Sequence, residues 1–167
     1  MISDVSIAAA DDDEAQAIVR LRGLKRENAV SEARLASVGI TASTWAESIR
    51  AGELIGVTVK RHGALVGYCF GNTGTGEIVV LALLPAAEGQ GLGRELLARV
   101  VEALRQRGHR RLFLGCAADP TVRSHGFYRY LGWRATGAID AYGDEILELW
   151  LGPLGPEARD AYDGTRS

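Results

Sequence analysis

Apolar and polar positions along this chain form two kinds of pattern, which predict strands and helices in a definite order. Short apolar runs bounded by glycine, proline or charge are typical of strands, whereas apolar positions three or four residues apart are typical of amphipathic helices. The order is strand, two helices, three strands, helix, strand, helix and two strands. The predicted strands are 5–9, 54–61, 64–71, 77–84, 111–116, 133–139 and 145–151, and the predicted helical regions are 11–24, 31–51, 94–107 and 119–132.

This order predicts an α/β fold with a mixed sheet. The hairpin-connected strands favour antiparallel pairing, and the helix between strands 77–84 and 111–116 is a crossover that favours parallel pairing. The length predicts one domain over residues 1–152. Glycine, proline and charged residues dominate the remainder, which predicts a flexible tail over 153–167.

Capping residues mark where the predicted helices begin. Three consecutive acids at 11–13 supply an N-cap and first-turn charge for the first helix. A cation site is the alternative, and solvated helix-start charge is the favoured interpretation. Ser43-Thr44 followed by Glu47 predicts a capping box inside the second helical region. Asp119 followed by Pro120 predicts the start of the fourth helix.

The composition limits the classes of function. The chain is 47% hydrophobic and 24% charged, which is typical of a globular protein. Its formal net charge is -2 and its basic residues are scattered among acidic ones, so no nucleic-acid partner is expected. No apolar run is long enough to cross a bilayer, and the N-terminus lacks the basic and apolar regions of a secretion signal. We therefore expect a cytoplasmic protein without a membrane partner.

The cysteines and histidines do not indicate disulfide or metal chemistry. Cys69 and Cys116 each lie in an apolar, strand-like run, so two buried free thiols in a reducing compartment are favoured over a disulfide. His62, His109 and His125 share no metal-ligand spacing with each other or with the cysteines. No metal is therefore expected.

The stretch 83–94, Leu-Leu-Pro-Ala-Ala-Glu-Gly-Gln-Gly-Leu-Gly-Arg, carries the strongest chemical signal. It joins a predicted strand to a predicted helix, so bare backbone N–H groups lie at the positive end of a helix dipole and favour a phosphate-bearing ligand. A P-loop would need Lys-Ser or Lys-Thr after its last glycine, where this chain has Arg94-Glu95. A dinucleotide fingerprint would need a glycine at position 94. Both nucleotide chemistries are therefore disfavoured.

Two motifs together resemble the GNAT N-acetyltransferases, which use acetyl-CoA. The first family motif is Arg or Gln, two residues, Gly, one residue, then Gly or Ala, and it corresponds here to 88–93, Glu-Gly-Gln-Gly-Leu-Gly. The second is an aromatic-Tyr pair followed by Leu-Gly-aromatic, and it corresponds to 127–133, Phe-Tyr-Arg-Tyr-Leu-Gly-Trp. The resemblance runs over 57–150 and implies a mixed, mostly antiparallel sheet flanked by helices in three layers. Glu88 departs from the family's Arg or Gln, and 117–119 lack the Asn that the family often has there.

The resemblance implies acetyl-CoA as cosubstrate. Gly89, Gly91 and Gly93 would let the backbone fold around its two phosphates, and Arg94 would add a charge-assisted contact. Backbone groups of the strand around Leu81 would hold the pantetheine arm and polarise the acetyl carbonyl. The implied cofactor-binding residues are Leu81, Leu83, Glu88, Gly89, Gln90, Gly91, Leu92, Gly93 and Arg94.

The same resemblance implies roles for catalytic groups. Tyr128 matches the general acid that protonates the leaving CoA thiolate. Glu77 starts the strand where the histone-acetylating branch has a general base, and a water chain is the alternative. The last hairpin flanks the acceptor pocket in the family, where acids would attract a cationic amine, and a solvated turn is the alternative. Its polar residues are Asp140, Tyr142, Asp144 and Glu145.

The expected function is transfer of an acetyl group from acetyl-CoA to a primary amine of a small molecule or peptide. The amine attacks the thioester directly in a ternary complex. A regulatory module that binds acyl-CoA without turnover is the alternative, and a nucleotide-binding protein is a third class. The resemblance also allows for a homodimer.

Overall fold

The computed structural model describes residues 5–22, 33, 37 and 39–152. They fall into two compact units. The first comprises the chain up to Gly74 together with Ile78–Ala103, and the second comprises Thr75–Glu77 together with the chain from Leu104 onward. The prediction of one domain over 1–152 stays a prediction, and the tail predicted over 153–167 lies outside the described residues. Among the helices of the described part, none has the length and apolar character to cross a membrane.

The first unit is built on a four-stranded antiparallel sheet in the order β1-β2-β3-β4. Since β2 and β4 both run antiparallel to β3, their carboxyl ends lie at the same edge of the sheet. The strands are β1 (Val5–Ala9), β2 (Leu54–Arg61), β3 (Ala64–Asn72) and β4 (Ile78–Leu83), and the helices are α1 (Ala15–Arg22), α2 (Ala42–Arg50) and α3 (Leu92–Gln106), whose last turn belongs to the second unit.

The core of the first unit lies between this sheet and the helices α1 and α2. Ile18 and Leu21 of α1 pack on a buried cluster of β3 and β4 that consists of Tyr68, Phe70, Val80 and Ala82. Trp45 of α2 meets Phe70 edge to face, with ring centroids 5.5 Å apart. Burial of these aromatic and aliphatic groups is the main term that holds the helices to the sheet.

The second unit contains a three-stranded antiparallel sheet in the order β5-β7-β6. Leu112, Leu114, Cys116 and Leu147 are its buried side chains, whereas every residue of the edge strand β6 is exposed. Glu77 forms an isolated parallel bridge with Phe113 of β5. The strands are β5 (Arg111–Cys116), β6 (Arg134–Ile139) and β7 (Glu145–Trp150), and the helix is α4 (Arg123–Tyr130).

The described elements follow the predicted order, and the predicted α/β class with mostly antiparallel sheets flanked by helices is confirmed. Parallel pairing around the crossover appears at the Glu77–Phe113 bridge, so β4 begins at Ile78 rather than at the predicted residue 77. The end predicted for the first helix and most of 31–38 lie outside the described residues. The acids at 11–13 do begin a helical segment, because the Asp11 carboxylate accepts a hydrogen bond from the backbone N–H of Asp13.

Two predicted helix caps were wrong. The N-cap of α2 is Thr41, whose hydroxyl accepts from the Thr44 N–H at 3.1 Å, so Ser43 and Glu47 lie inside the helix. The extended backbone of Thr41 is what places its hydroxyl over the first turn. Asp119 does not begin α4, because its carboxylate accepts from both the backbone N–H and the hydroxyl of Thr121, which closes a separate turn before Arg123.

We expect Gly56→Ala to lower the free energy of unfolding by about 1–3 kcal/mol, because it overpacks a filled core. A Cβ at this buried glycine would lie 2.7 Å from the backbone oxygen of Cys69 and would overlap the Phe70 ring. The matched control is Gly126→Ala in α4, where a Cβ meets nothing within 4 Å. This control should raise the free energy of unfolding by about 0.5–1 kcal/mol, as helix propensity dictates. Urea denaturation measures both, and equal effects would contradict the packing argument.

Candidate active site

The loop between β4 and α3 is shaped by a short turn and two glycines. Pro85–Ala87 form a 3-10 turn, and the buried Ala87 fixes it to the first unit. Gly89 has φ +78° and Gly91 has φ +79°, conformations that side chains rarely adopt. The carbonyl of Gly91 accepts from the N–H of Glu95 at 3.1 Å, which begins the hydrogen bonding of α3. The predicted helix start at 94 therefore lies two residues earlier, at Leu92.

This geometry suits an anion. A methyl group added at Gly89 or Gly91 would meet no atom within 4 Å, so the space above both is open, and both are exposed. The first N–H groups of α3 have no partner within the helix, and its dipole is positive at this end. The loop can thus approach a phosphate through its backbone, while Gly93 is buried beneath and Arg94 is exposed beside it.

Arg61 is a residue of this loop's surroundings that the sequence analysis missed. Its guanidinium donates to the carbonyl of Ala86 at 3.3 Å and to the side-chain oxygen of Gln90. Arg61 is 25 residues or more from these partners along the chain, so no local motif signals it. Only the register of the sheet could indicate that Arg61 lies near the loop, because β2 and β4 end at the same edge of the sheet.

Leu81 and Leu83 lie on β4, the terminal strand of its sheet. Their side chains are half-buried and alternate with the buried Ile78, Val80 and Ala82. Gly67 of β3 pairs with Leu83, and a Cβ at Gly67 would lie 2.9 Å from the backbone oxygen of Ala82 and would overlap the Leu83 side chain. The absence of that side chain therefore allows the carboxyl end of β4 to pack closely on β3.

In the second unit, a tight turn brings Glu77 beside β5. Gly76 has φ +83°, and its carbonyl accepts from the N–H of Phe113 at 3.2 Å. A Cβ at Gly76 would lie 3.0 Å from the backbone oxygen of Arg111, so the close approach requires glycine. Partial burial, and secondly the nearby negative charge of Asp140, raise the pKa of Glu77. Both effects favour the protonated carboxyl group.

The hairpin between β6 and β7 adds two carboxylates to this face of β5. The side chain of Asp140 accepts from the N–H groups of Tyr142 at 2.8 Å and of Asp144 at 3.0 Å, which folds the turn inward. Because Gly115 has no side chain, there is room for them: a Cβ there would lie 3.1 Å from Asp140 Oδ2 and 3.7 Å from Asp144 Oδ2. Burial and the charge of Asp140 raise the pKa of Asp144. This face is therefore strongly negative and attracts protons or cations.

Tyr128 lies on α4 and is 8% exposed. Its ring packs edge to face against Phe127, with centroids 5.1 Å apart, and against Trp133 at 6.0 Å. The backbone carbonyl of Tyr128 accepts from the N–H of Trp133 at 3.1 Å, which ends the helix. Tyr130, the neighbouring tyrosine, is 83% exposed. The second motif thus contributes one buried and one exposed phenol.

Polar contacts join α4 to the sheet. Arg129 Nη2 lies 2.6 Å from Glu145 Oε2, and the Cys116 thiol lies 3.9 Å from the Ser124 hydroxyl. Cys116 and Glu145 are paired partners in the β5–β7 ladder, so both contacts are made with the same residue pair of the sheet. Glu145 is therefore engaged by α4. Burial is the main cause that raises the pKa of the Cys116 thiol, which makes it a poor nucleophile.

The predicted site residues divide between the two units. The glycine loop and β4 belong to the first, whereas Glu77 and Tyr128 belong to the second. The structure brings Glu77 together with Asp140, and it packs Tyr128 between Phe127 and Trp133. The roles assigned to these residues stay predictions.

The fold matches solved acetyltransferases. The PaiA N-acetyltransferase of Thermoplasma acidophilum, solved in complex with coenzyme A, superposes with a TM-score of 0.72 at 15% identity, over 87% of this chain and 98% of that one. YncA of Salmonella typhimurium, solved with acetyl-CoA, superposes with a TM-score of 0.66 at 19% identity, over 92% of this chain and 97% of that one. At these identities the likeness concerns the fold.

Sequence relatives add a local match. The chain is 38% identical over 69 residues to a mycothiol acetyltransferase of Beutenbergia cavernae, a stretch that covers 41% of this chain and 23% of the relative. The chain thus spans about a quarter of the length of this curated relative. The model of the acetyltransferase (GNAT) family matches residues 13–133, which include the glycine loop, Glu77 and Tyr128. Since this match covers well over half of the chain, the protein belongs to the GNAT acetyltransferase family.

Proposed function

We propose that this chain transfers an acetyl group from acetyl-CoA to a primary amine of a small molecule or peptide. The observation that carries the proposal is the open, left-handed backbone at Gly89 and Gly91 directly before α3, in a member of the GNAT family. Such a loop fits the diphosphate of acetyl-CoA, because N–H groups converge there at the positive end of a helix dipole. No lysine or hydroxyl for a magnesium nucleotide follows it.

The cofactor-binding roles follow from the elements around the loop. The backbone from Glu88 to Gly93 would hold the phosphates, with the exposed side chains of Gln90 and Arg94 beside them. Leu92 begins α3 and orients its first N–H groups. Backbone groups of β4 at Leu81 and Leu83 would align the pantetheine arm and the acetyl carbonyl.

The chemistry requires two proton movements. The neutral amine forms a bond to the carbonyl carbon of the thioester, and the bond from that carbon to sulfur breaks. Tyr128 would give its phenolic proton to the departing sulfur, and Glu77 would take the proton that the amine loses. A raised pKa makes the ionised carboxylate a stronger base. Glu77 is therefore suited to accept that proton directly or through a water.

The acids around β5 support a cationic acceptor. Glu77, Asp140 and Asp144 bring three carboxylates to one face of the second unit. An ammonium group is attracted to such a face, and it must lose a proton before it attacks. The free, buried thiols of Cys69 and Cys116 suit a protein that works in the reducing cytoplasm.

Two measurements test the function. Isothermal titration with acetyl-CoA and with CoA should give saturable binding, and a thiol-release assay over a panel of primary amines should give turnover with at least one class. Absence of binding to either ligand would overturn the proposal. Binding without thiol release over the whole panel would favour the acyl-CoA-binding module instead.

We expect Tyr128→Phe to lower kcat by about 100-fold or more, because the leaving sulfur then lacks its proton donor. The near-isosteric ring keeps its packing on Phe127 and Trp133. The dissociation constant for CoA should therefore not change. Tyr130→Phe is the matched control, since this phenol is exposed on the same helix, and it should keep the wild-type rate. A full rate in Tyr128→Phe would exclude the phenol as the acid.

We expect Glu77→Gln to flatten the pH dependence of stability. The folded pKa of Glu77 is raised above its ordinary value of 4.5. At pH values between these two, the carboxyl group is protonated in the native state and ionised in the unfolded state. This stabilising contribution is present below pH 4.5 and is lost as the pH rises through the raised pKa. The free energy of unfolding of Glu77→Gln, measured by urea titration at several pH values, should therefore fall less over that window.

The control for this variant is Glu95→Gln, which removes an exposed carboxylate that pairs with Arg99 on α3. It should keep the wild-type dependence of the rate on pH, because Glu95 takes no part in the proposed proton transfer. Activity moves in the opposite sense, because the base must be ionised: the wild-type rate should rise as the pH passes through the raised pKa. An identical rate profile in Glu77→Gln would rule out Glu77 as the base.

A further inference from the structure

We infer that Arg61 is a positioning residue for the diphosphate site, which ties the glycine loop to the end of β2 in the conformation that binds CoA. The inference rests on the proposed function and adds to it a residue from a distant strand. The family motif has a cation or an amide at the position that Glu88 occupies, and this chain has none there. Arg61 brings a guanidinium to the same loop from outside the motif.

The sheet explains how Arg61 reaches the loop. Arg61 is the last residue of β2, paired with Val5 of β1 and Ala64 of β3. The carboxyl end of β4 lies at the same edge of the sheet, with β3 between the two strands. Because the loop follows β4 at this edge, the long arginine side chain meets it at Ala86 and Gln90.

The contacts form a closed network of three groups. One nitrogen of the Arg61 guanidinium donates to the carbonyl of Ala86 at 3.3 Å, and the other donates to Gln90 Oε1. The amide nitrogen of Gln90 donates to the same Ala86 carbonyl at 3.3 Å. The network thus joins two loop positions four residues apart and encloses Ala87, Glu88 and Gly89 between them.

This network restrains the part of the loop that contains glycines. Gln90 lies between Gly89 and Gly91, and glycine loses more conformational freedom on ordering than any other residue. A loop that is already ordered loses less entropy when a ligand binds, so its affinity is higher. The planar guanidinium suits this task, because its fixed fork of donors bonds two acceptors at once, whereas a lysine ammonium has no such fork.

The experiment compares ligands with and without the diphosphate. In Arg61→Gln, we expect the dissociation constant for CoA and the KM for acetyl-CoA to rise about tenfold, with kcat at saturation unchanged. Turnover of S-acetyl-pantetheine, which has no diphosphate, should stay at the wild-type level. Arg50→Gln is the matched control, because Arg50 is an exposed arginine of the same unit that pairs with Asp12 at 3.2 Å, and it should bind CoA as the wild type does.

Two further variants separate positioning from charge. Arg61→Lys keeps the charge and loses the fork, so it should weaken CoA binding nearly as much as Arg61→Gln does. Gln90→Ala, at an exposed residue whose loss leaves the core intact, should act in the same direction. The double variant Arg61→Gln with Gln90→Ala should bind CoA with the same affinity as the weaker-binding single variant, because both substitutions break one network.

A readout without ligand completes the test. In the free protein, the backbone amides of Gly89, Gln90 and Gly91 should have lower NMR order parameters in Arg61→Gln than in the wild type. Unchanged order parameters, unchanged CoA affinity, or an equal loss with S-acetyl-pantetheine would each overturn the inference. Full rescue by Arg61→Lys would overturn positioning in favour of charge alone. Failure of the wild type to bind CoA would overturn the proposed function itself, which is a distinct result.

Discussion

The hydrogen-bonded ladder of β3 organises the first unit. This strand pairs with β2 on one side and with β4 on the other, and both partners run opposite to it. The carboxyl ends of β2 and β4 are therefore brought to one edge, where the chain leaves β4 for the glycine loop. This ladder therefore fixes the relative positions of Arg61 and of the turn at Pro85–Ala87, and it allows the hydrogen bond from Arg61 to Gln90.

Glycines occur repeatedly where backbones or carboxylates must come close. Gly67 admits the end of β4, Gly76 admits the turn that carries Glu77, and Gly115 admits Asp140 and Asp144. The acids are then held near each other in partly buried surroundings, which raises the pKa of Glu77 and of Asp144. The electrostatics of the second unit thus follow from the absence of a methyl group on β5.

The sequence predicted the local features of this protein well and the long-range ones poorly. Strands such as Val5–Ala9, Leu54–Arg61 and Arg111–Cys116 were predicted with their observed bounds, because short apolar runs between turn residues are local signals. The cap of α2 was misplaced, since Ser43 and Thr41 are both good N-caps and only the backbone conformation decides between them. The tie of Arg61 to Gln90 and the effect of Asp140 on Glu77 join distant residues, so no spacing rule could reveal them.

The exposed strand β6 shows how an open sheet edge is protected. Its register with β7 is interrupted: Ala135 pairs with Leu147 and Ile139 pairs with Glu145, so four steps along β6 match two along β7. Gly137, with φ +89°, lies in the interruption. An irregular edge cannot offer the continuous row of donors and acceptors that a foreign strand needs for pairing. The interrupted register therefore disfavours pairing of β6, which carries the exposed Ile139, with strands of other molecules in an aggregate.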